Sequence, residues 1–325
     1  GGYGRGNQLH TDRDDVNEDV DVNVDADVDV DVDVDEENGK GFSMYYNGTE
    51  DDDFTIKIFD RTIKISQTPS DTTIGHGAVV WEAAVIFAKY IEFSNHKDFL
   101  IKNMSKMKLL ELGSGPGLGG LCCMLRGAEV TLSDMSCVIK ALTYKTTLKC
   151  YKQLTSEGSN GMSQFGGVQC PRVFPLDWTD KDGIAKLIKN AKYVTDVTNV
   201  ESMDCDGDDV SGSGSGSDNT AALNNTSVTT AHTHTHTHIQ NSGQESKLQL
   251  PFDMVLLTDC VFSIHLVPDL ISTIRKAIIG NSQASVYCVH EIRDTEANDF
   301  FIKLLSEYFK IKIIPQRDQH PDYRH

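Results

Sequence analysis

The polar and apolar positions of this 325-residue chain fall into two regimes. One alternates on periods of two and of three to four residues, as packed strands and helices do. The other is low in complexity and carries few large apolar side chains. FTIKIFDRTIKIS (54–66) reads as a hairpin of two alternating runs around an Asp-Arg turn. AVVWEAAVIFAKYIEF (78–93) has helical spacing with a mostly apolar face. Apolar runs at 107–112 and 128–133 predict buried strands, with helices at about 117–126 and 136–152. VQCPRVFPLDW predicts a third strand ending at Trp178, and IAKLIKNA (184–191) a short helix. The pattern resumes with strands at 251–259, 285–291 and 309–315, separated by helices at 266–278 and 294–308. Alternation of this kind predicts an α/β fold with a doubly wound, mainly parallel sheet, helices on both faces and an N-terminal β-hairpin.

Between these runs the composition changes the picture. Residues 1–53 form an acidic, low-complexity tail, and 11–53 alone hold 18 acidic and 2 basic residues. The Asp/Val alternation of 21–37 imitates a strand, but one face would stack aspartates side by side, so disorder is expected. An insertion at about 197–248, rich in Gly, Ser and Thr, is read as a flexible interruption of a domain that otherwise runs from 54 to 325. Its His232, His234, His236 and His238 are read as a repeat expansion and not as a metal site. The formal net charge of −18 belongs to the tail and the insertion; the remainder is mildly basic. No run approaches the ~20 apolar residues that span a bilayer. The eight cysteines show no framework spacing, which suits a reduced, cytoplasmic protein. The first residue is not methionine, so a fragment is expected.

The chemistry concentrates in MKLLELGSGPGLGG (107–120) and GAEVTLSDM (127–135). A strand enters a glycine-rich turn, a helix follows, and a second strand ends in an acid. Gly113, Gly115 and Gly117 let the backbone approach a ligand where a Cβ would collide. Asp134, about 20 residues beyond the loop, is placed to accept from ribose hydroxyls, although it is also a candidate helix N-cap. Two patterns overlap: Gly115, Gly117 and Gly120 satisfy GxGxxG, while Gly113, Gly115 and Gly117 satisfy GxGxG. The strand runs directly into Gly113, which favours the second. Glu111 suits a ligand bearing an ammonium group, as S-adenosylmethionine does. A nicotinamide cofactor is the rival.

Four separated motifs then carry a resemblance: GHGAVVWEAAVIFAKYIE (75–92), LLELGSGPGLGGLCCMLRGAEVTLSDM (109–135), LDW (176–178) and FDMVLLTDCVF (252–262). Together they resemble the seven-strand, S-adenosylmethionine-dependent methyltransferases, and within them the methyltransferase-like family 21 of protein-lysine methyltransferases. HEIRD (290–294) and IIPQRDQHPDYR (313–324) echo members that act on a valosin-containing AAA ATPase. The resemblance implies a cradle of Gly113, Ser114, Gly115 and Gly117, ribose on Asp134, and Trp81 over the methionine end. It places Trp178 and the backbone of Thr258 beside the adenine. Asp259 and Phe262, from a DxxY-type motif, would face the target lysine, with phenylalanine standing where the family has tyrosine. It further implies a Rossmann-like sheet whose last strand is missing from this chain. The acceptor is expected to be a protein, such as the valosin-containing ATPase or another chaperone-like protein, with no nucleic acid or membrane partner, and the chain a monomer. A small-molecule or RNA acceptor, or a silent binding scaffold, remains as an alternative.

Overall fold

The computed structural model describes residues 53–94, 98–156, 169–194 and 248–323. The acidic tail, nearly all of the insertion and its histidines therefore lie outside the described residues. No described helix is long and apolar enough to cross a membrane.

The chain opens with the hairpin β1 (Phe54–Ile58) and β2 (Arg61–Ile65), paired antiparallel from Phe54↔Ile65 to Ile58↔Arg61. Phe59 and Asp60 take positive φ at the turn. Helix α1 (Glu82–Phe93) starts four residues later than its hydrophobic pattern, because Trp81 is extended and the preceding Gly75–Ala78 forms a 3-10 turn. After α2 (Phe99–Lys102) come β3 (Lys108–Leu112), α3 (Leu118–Leu125) and β4 (Glu129–Asp134). The next helical run comprises α4 (Ser136–Val138), a π-helical turn Ile139–Thr143 and α5 (Tyr144–Ser156). Then follow β5 (Arg172–Pro175), α6 (Gly183–Asn190), β6 (Lys192–Tyr193), β7 (Met254–Thr258), α7 (Val267–Ala277), β8 (Ser285–Val289) and α8 (Thr295–Ser306).

The main sheet has six strands in the order β6-β5-β4-β3-β7-β8, all parallel except β6. Strand alternation divides the core into two layers. Leu109, Val130, Leu132, Met254 and Leu256 pack on one side with residues of α1, α3, α5 and the hairpin. Leu110, Leu112, Val255 and Leu257 pack on the other with residues of α6, α7 and α8. Helices on both faces of a mostly parallel sheet are the predicted doubly wound arrangement. From β3 the chain builds outward through β4 and β5, then returns to place β7 on the other flank of β3. The carboxyl ends of β3 and β7 are therefore the topological switch point, where open α/β sheets bind ligands.

Two expectations are corrected. FKIKIIP (309–315) alternates like a strand but forms none; Ile313 is largely exposed, and β8 pairs only with β7 among the described residues. A strand is stabilised by a neighbour, and alternation alone supplies none. The third strand is only the four residues of β5 and does not reach Trp178, which lies in the turn beyond it. Past Pro175 one bond remains, from Leu176 N–H to the Asp134 carbonyl at 2.8 Å, before the chain turns at Asp177–Asp180. Conversely, the two-residue β6 was not legible: it pairs antiparallel with Arg172 and Val173 at the edge.

Candidate functional site

Three groups of residues converge at the switch point. The first is the loop after β3. Gly113, Gly115 and Gly117 all have positive φ, the left-handed conformation that the GxGxG reading requires. A Cβ on Gly113 would lie 2.9 Å from Cys260 Sγ and 3.3 Å from the Trp178 ring. The loop is clamped at both backbone polar groups of one residue, Gly115. Gly115 N–H donates to Asp134 Oδ2 at 2.7 Å, and Thr143 Oγ donates to the Gly115 carbonyl at 2.6 Å. Thr143 belongs to the π-helical turn, a local distortion that is common where a helix serves a site. The carbonyls of Gly77 and Val79 close over Gly115.

Asp134 is not a helix cap by its side chain; its other oxygen accepts from Met135 N–H at 2.7 Å. A carboxylate has about four acceptor positions, so two donors leave room for ribose hydroxyls. Burial raises its pKa to about 6, against the lowering effect of the Gly115 and Met135 bonds. Ser114 Oγ is buried with no hydrogen-bond partner among the described residues. A buried hydroxyl without a partner costs about 1–3 kcal/mol unless a ligand satisfies it. The cradle thus has the shape, the acceptor and the orphaned polar atom that a nucleoside cofactor needs.

Glu111 lies behind this loop, with no exposed surface. Its Oε2 accepts from Gly120 N–H at 2.9 Å, and Thr258 Oγ approaches its Oε1 at 3.5 Å. A side chain on Gly119 or Gly120 would collide with this carboxyl group, which explains the glycine pair opening α3. Burial pushes the Glu111 pKa up to about 8, the Gly120 bond opposing and the Asp134 charge adding to the rise. Glu111 fixes the cradle from beneath.

The second group is aromatic. Trp178 and Phe262 are tilted at 6.4 Å between centroids, and Phe262 is 49% exposed at the mouth. Cys260 Sγ donates to the Leu112 carbonyl at 3.0 Å, tying the turn after β7 to the end of β3.

The third group surrounds Asp259. This residue has φ 65°, an unusual conformation for a side-chain-bearing residue and one that aspartate tolerates better than most. Its N–H still donates to the Val289 carbonyl, so the strand pairing holds while the side chain is turned away. Asp259 Oδ2 accepts from Arg293 at 2.7 Å, and the same guanidinium nitrogen reaches Glu291 at 2.7 Å. The guanidinium lies 4.7 Å from the Trp81 ring centroid. Trp81 Nε1 in turn donates to the His76 carbonyl at 2.7 Å. Sequence reasoning placed Trp81 and Asp259 separately; Arg293, which joins them, was visible only as part of HEIRD. A separate cavity of about 500 Å³, lined among others by Arg275, Lys276 and Tyr308, lies at the amino end of β8 and shares no residue with this site.

Sheet, switch point and cradle together define a Rossmann-like methyltransferase fold. The chain belongs to the lysine methyltransferase family: the family's model matches residues 59–157 and 218–307, more than half of its length. Among curated proteins it is similar to protein N-lysine methyltransferase METTL21A of Xenopus tropicalis, 33% identical over 92 residues, covering 28% of this chain and 39% of that protein. The mouse METTL21A matches at 33% over 88 residues, 27% of this chain and 37% of that protein. Mouse EEF1A lysine methyltransferase 3 matches at 35% over 69 residues, 21% of this chain and 27% of that protein. The matched stretch spans about two fifths or less of these relatives. The resemblance to methyltransferase-like family 21 holds.

Proposed function

We propose that this protein transfers a methyl group from S-adenosylmethionine to the ε-amine of a lysine in a protein acceptor. The observation that carries the reading is the cradle itself: three left-handed glycines around the orphaned Ser114 Oγ, clamped by Asp134 and Thr143. S-adenosylmethionine supplies an electrophilic methyl on a sulfonium. Gly113, Ser114, Gly115 and Gly117 receive the cofactor, Asp134 takes its ribose, and Trp178 and the Thr258 backbone border the adenine. Trp81 borders the methionine end, and Glu111 supports the loop. Asp259 and Phe262 form the acceptor end.

No covalent chemistry is required of the side chains. They hold the amine nitrogen in line with the methyl, a positioning effect that contributes up to about 7–11 kcal/mol. A lysine amine titrates near 10.4 in water and attacks only when neutral. A neutral amine donates an N–H to Asp259 and keeps its lone pair for the methyl. Phe262 contributes an aromatic wall worth about 0.5–2 kcal/mol against a cationic group. The acceptor proposed is a cytosolic protein, with the valosin-containing AAA ATPase as first candidate, and the chain is proposed to act as a monomer.

The test is transfer of radiolabelled methyl into cytosolic extract and into the purified valosin-containing ATPase, with Asp259→Asn as control. Asparagine keeps the left-handed turn accessible, so the expected result is a labelled band whose rate drops at least about 100-fold in the variant. Label in small molecules or RNA, and none in protein, would refute a protein acceptor.

A further inference from the structure

The carboxylate of Asp259 already has a cation. Its side chain is 5% exposed, and its Oδ2 holds Arg293 at 2.7 Å. Arg293 is itself 35% exposed, stacks near Trp81 and shares its nitrogen with Glu291, which is 69% exposed. Burial opposes the charge on Arg293, and the bonds to Asp259 and Glu291 outweigh it, raising its pKa. This arrangement bears on a difficulty in the methyl-transfer reading, on which the inference rests. A buried, unpaired aspartate beside the acceptor would favour the ammonium form of lysine, which has no lone pair to attack with.

We propose that Arg293 is a positioning residue that neutralises Asp259, so that the acceptor end admits an amine in its neutral, reactive form. Asp259 then orients the amine by accepting an N–H, while Arg293 occupies the oxygen at which an ammonium would otherwise settle. The proton released by the amine passes to bulk water, and no side chain serves as base. The contact with Trp81 couples this charge pair to the wall of the cofactor cradle.

The other groups around Asp259 do not replace Arg293. Glu291 is negative and screened by solvent. Cys288, on β8, is pushed up to about 12 by burial and by the Asp259 charge, so it stays a neutral thiol. Cys260, next in the chain, is raised further by burial, with Cys288, Asp134 and Glu111 adding to the rise. His290 faces Cys288 Sγ at 3.2 Å and Asn298 at 3.0 Å, and so is turned to β8 and to α8. Arg293 is the positive charge that these contacts bring onto the Asp259 carboxylate.

The test uses n-butylamine as a lysine side-chain probe, titrated into the cofactor-free protein and followed by the fluorescence of Trp81 and Trp178, its two tryptophans. Between pH 7 and 9 the neutral fraction of an amine titrating near 10.4 rises about 100-fold. The wild-type affinity should rise in proportion. Arg293→Gln should bind at least about tenfold tighter than wild type at pH 7 and lose most of that pH dependence. Arg293→Lys, which keeps the charge, should restore the slope. Adding Asp259→Asn to Arg293→Gln should abolish the gain, which separates a charge effect from a misfolded variant. Arg293→Gln binding no tighter than wild type at pH 7 would overturn the proposal. Methyl transfer is read separately. A wild-type protein that labels no lysine refutes the proposed function, while the amine titration still decides the role of Arg293.

Discussion

Replacing Glu111 with glutamine should stabilise the protein increasingly as pH rises from 5 to 9. Glu111 is fully buried, and its pKa rises from 4.5 to about 8 in the fold. The folded state therefore favours the protonated acid. The stability this contributes is fully present below about 4.5 and is lost as pH climbs through about 8. At pH 9 the wild-type protein bears the whole cost of a buried carboxylate. The shift corresponds to roughly 5 kcal/mol at 1.36 kcal/mol per unit, shared with the neighbouring Asp134 charge. Glutamine resembles the protonated form: its carbonyl oxygen accepts from Gly120 N–H, and its amide faces Thr258. At about 2–4 °C per kcal/mol for a domain of this size, the variant should melt on the order of 10 °C higher at pH 9. At pH 5 the two should nearly coincide. Thermal melts at pH 5, 7 and 9 decide it, and a difference that does not grow with pH refutes the buried-acid account.

Why a buried acid is retained there at all is a question of the loop. Gly119 and Gly120 pack directly on the Glu111 carboxyl group, and Gly120 N–H is one of the amides at the start of α3 that no helical carbonyl can satisfy. The acid gives that amide an acceptor in the dry interior, directly behind the cradle. A cationic ligand would lower the cost of its ionised form. Under the proposed function, a cationic cofactor would set binding against stability at this one residue, a trade common at functional sites.

That tension was partly legible in the sequence. The cradle is local: strand, three glycines and helix occupy consecutive residues, and each positive φ falls on a glycine that the GxGxG pattern names. Asp134 was reachable by spacing, since a β-α-β unit has a nearly fixed length. The fold class followed from alternating periods. What the sequence could not show was long-range. Thr143 meets Gly115 across 28 residues, and Arg293 meets Asp259 across 34, with no local pattern announcing either. The failed strand at 309–315 has the same origin, because its alternation is real but no strand pairs with it among the described residues. The sequence offers Glu111 as an acid for the ammonium end of a ligand, but its burial behind the loop, on Gly120 N–H, depends on α3 folding back over β3.

Binding of S-adenosylmethionine should weaken below pH 6 and should collapse when Asp134 is replaced by alanine. Asp134 has a folded pKa of about 6, raised from 3.8 by burial against the pull of the Gly115 and Met135 bonds. Ribose hydroxyls donate to the ionised carboxylate, so protonation competes with the ligand. Affinity should fall roughly tenfold for each pH unit below about 6 and level off above it. Hydrogen bonds to a charged group are worth about 1.5–3 kcal/mol each. Two lost ribose bonds predict at least about a 100-fold loss for Asp134→Ala. That variant also leaves Gly115 N–H without its acceptor and loosens the loop. Asp134→Asn is the informative comparison: it retains an oxygen for Gly115 N–H but cannot titrate. Its affinity should sit between those of alanine and the wild type and stay flat from pH 5 to 7.5. Calorimetric titration of the three proteins across that range separates the roles. A flat wild-type profile would remove the carboxylate from the ribose, and an alanine variant that binds normally would remove Asp134 from the cofactor site altogether.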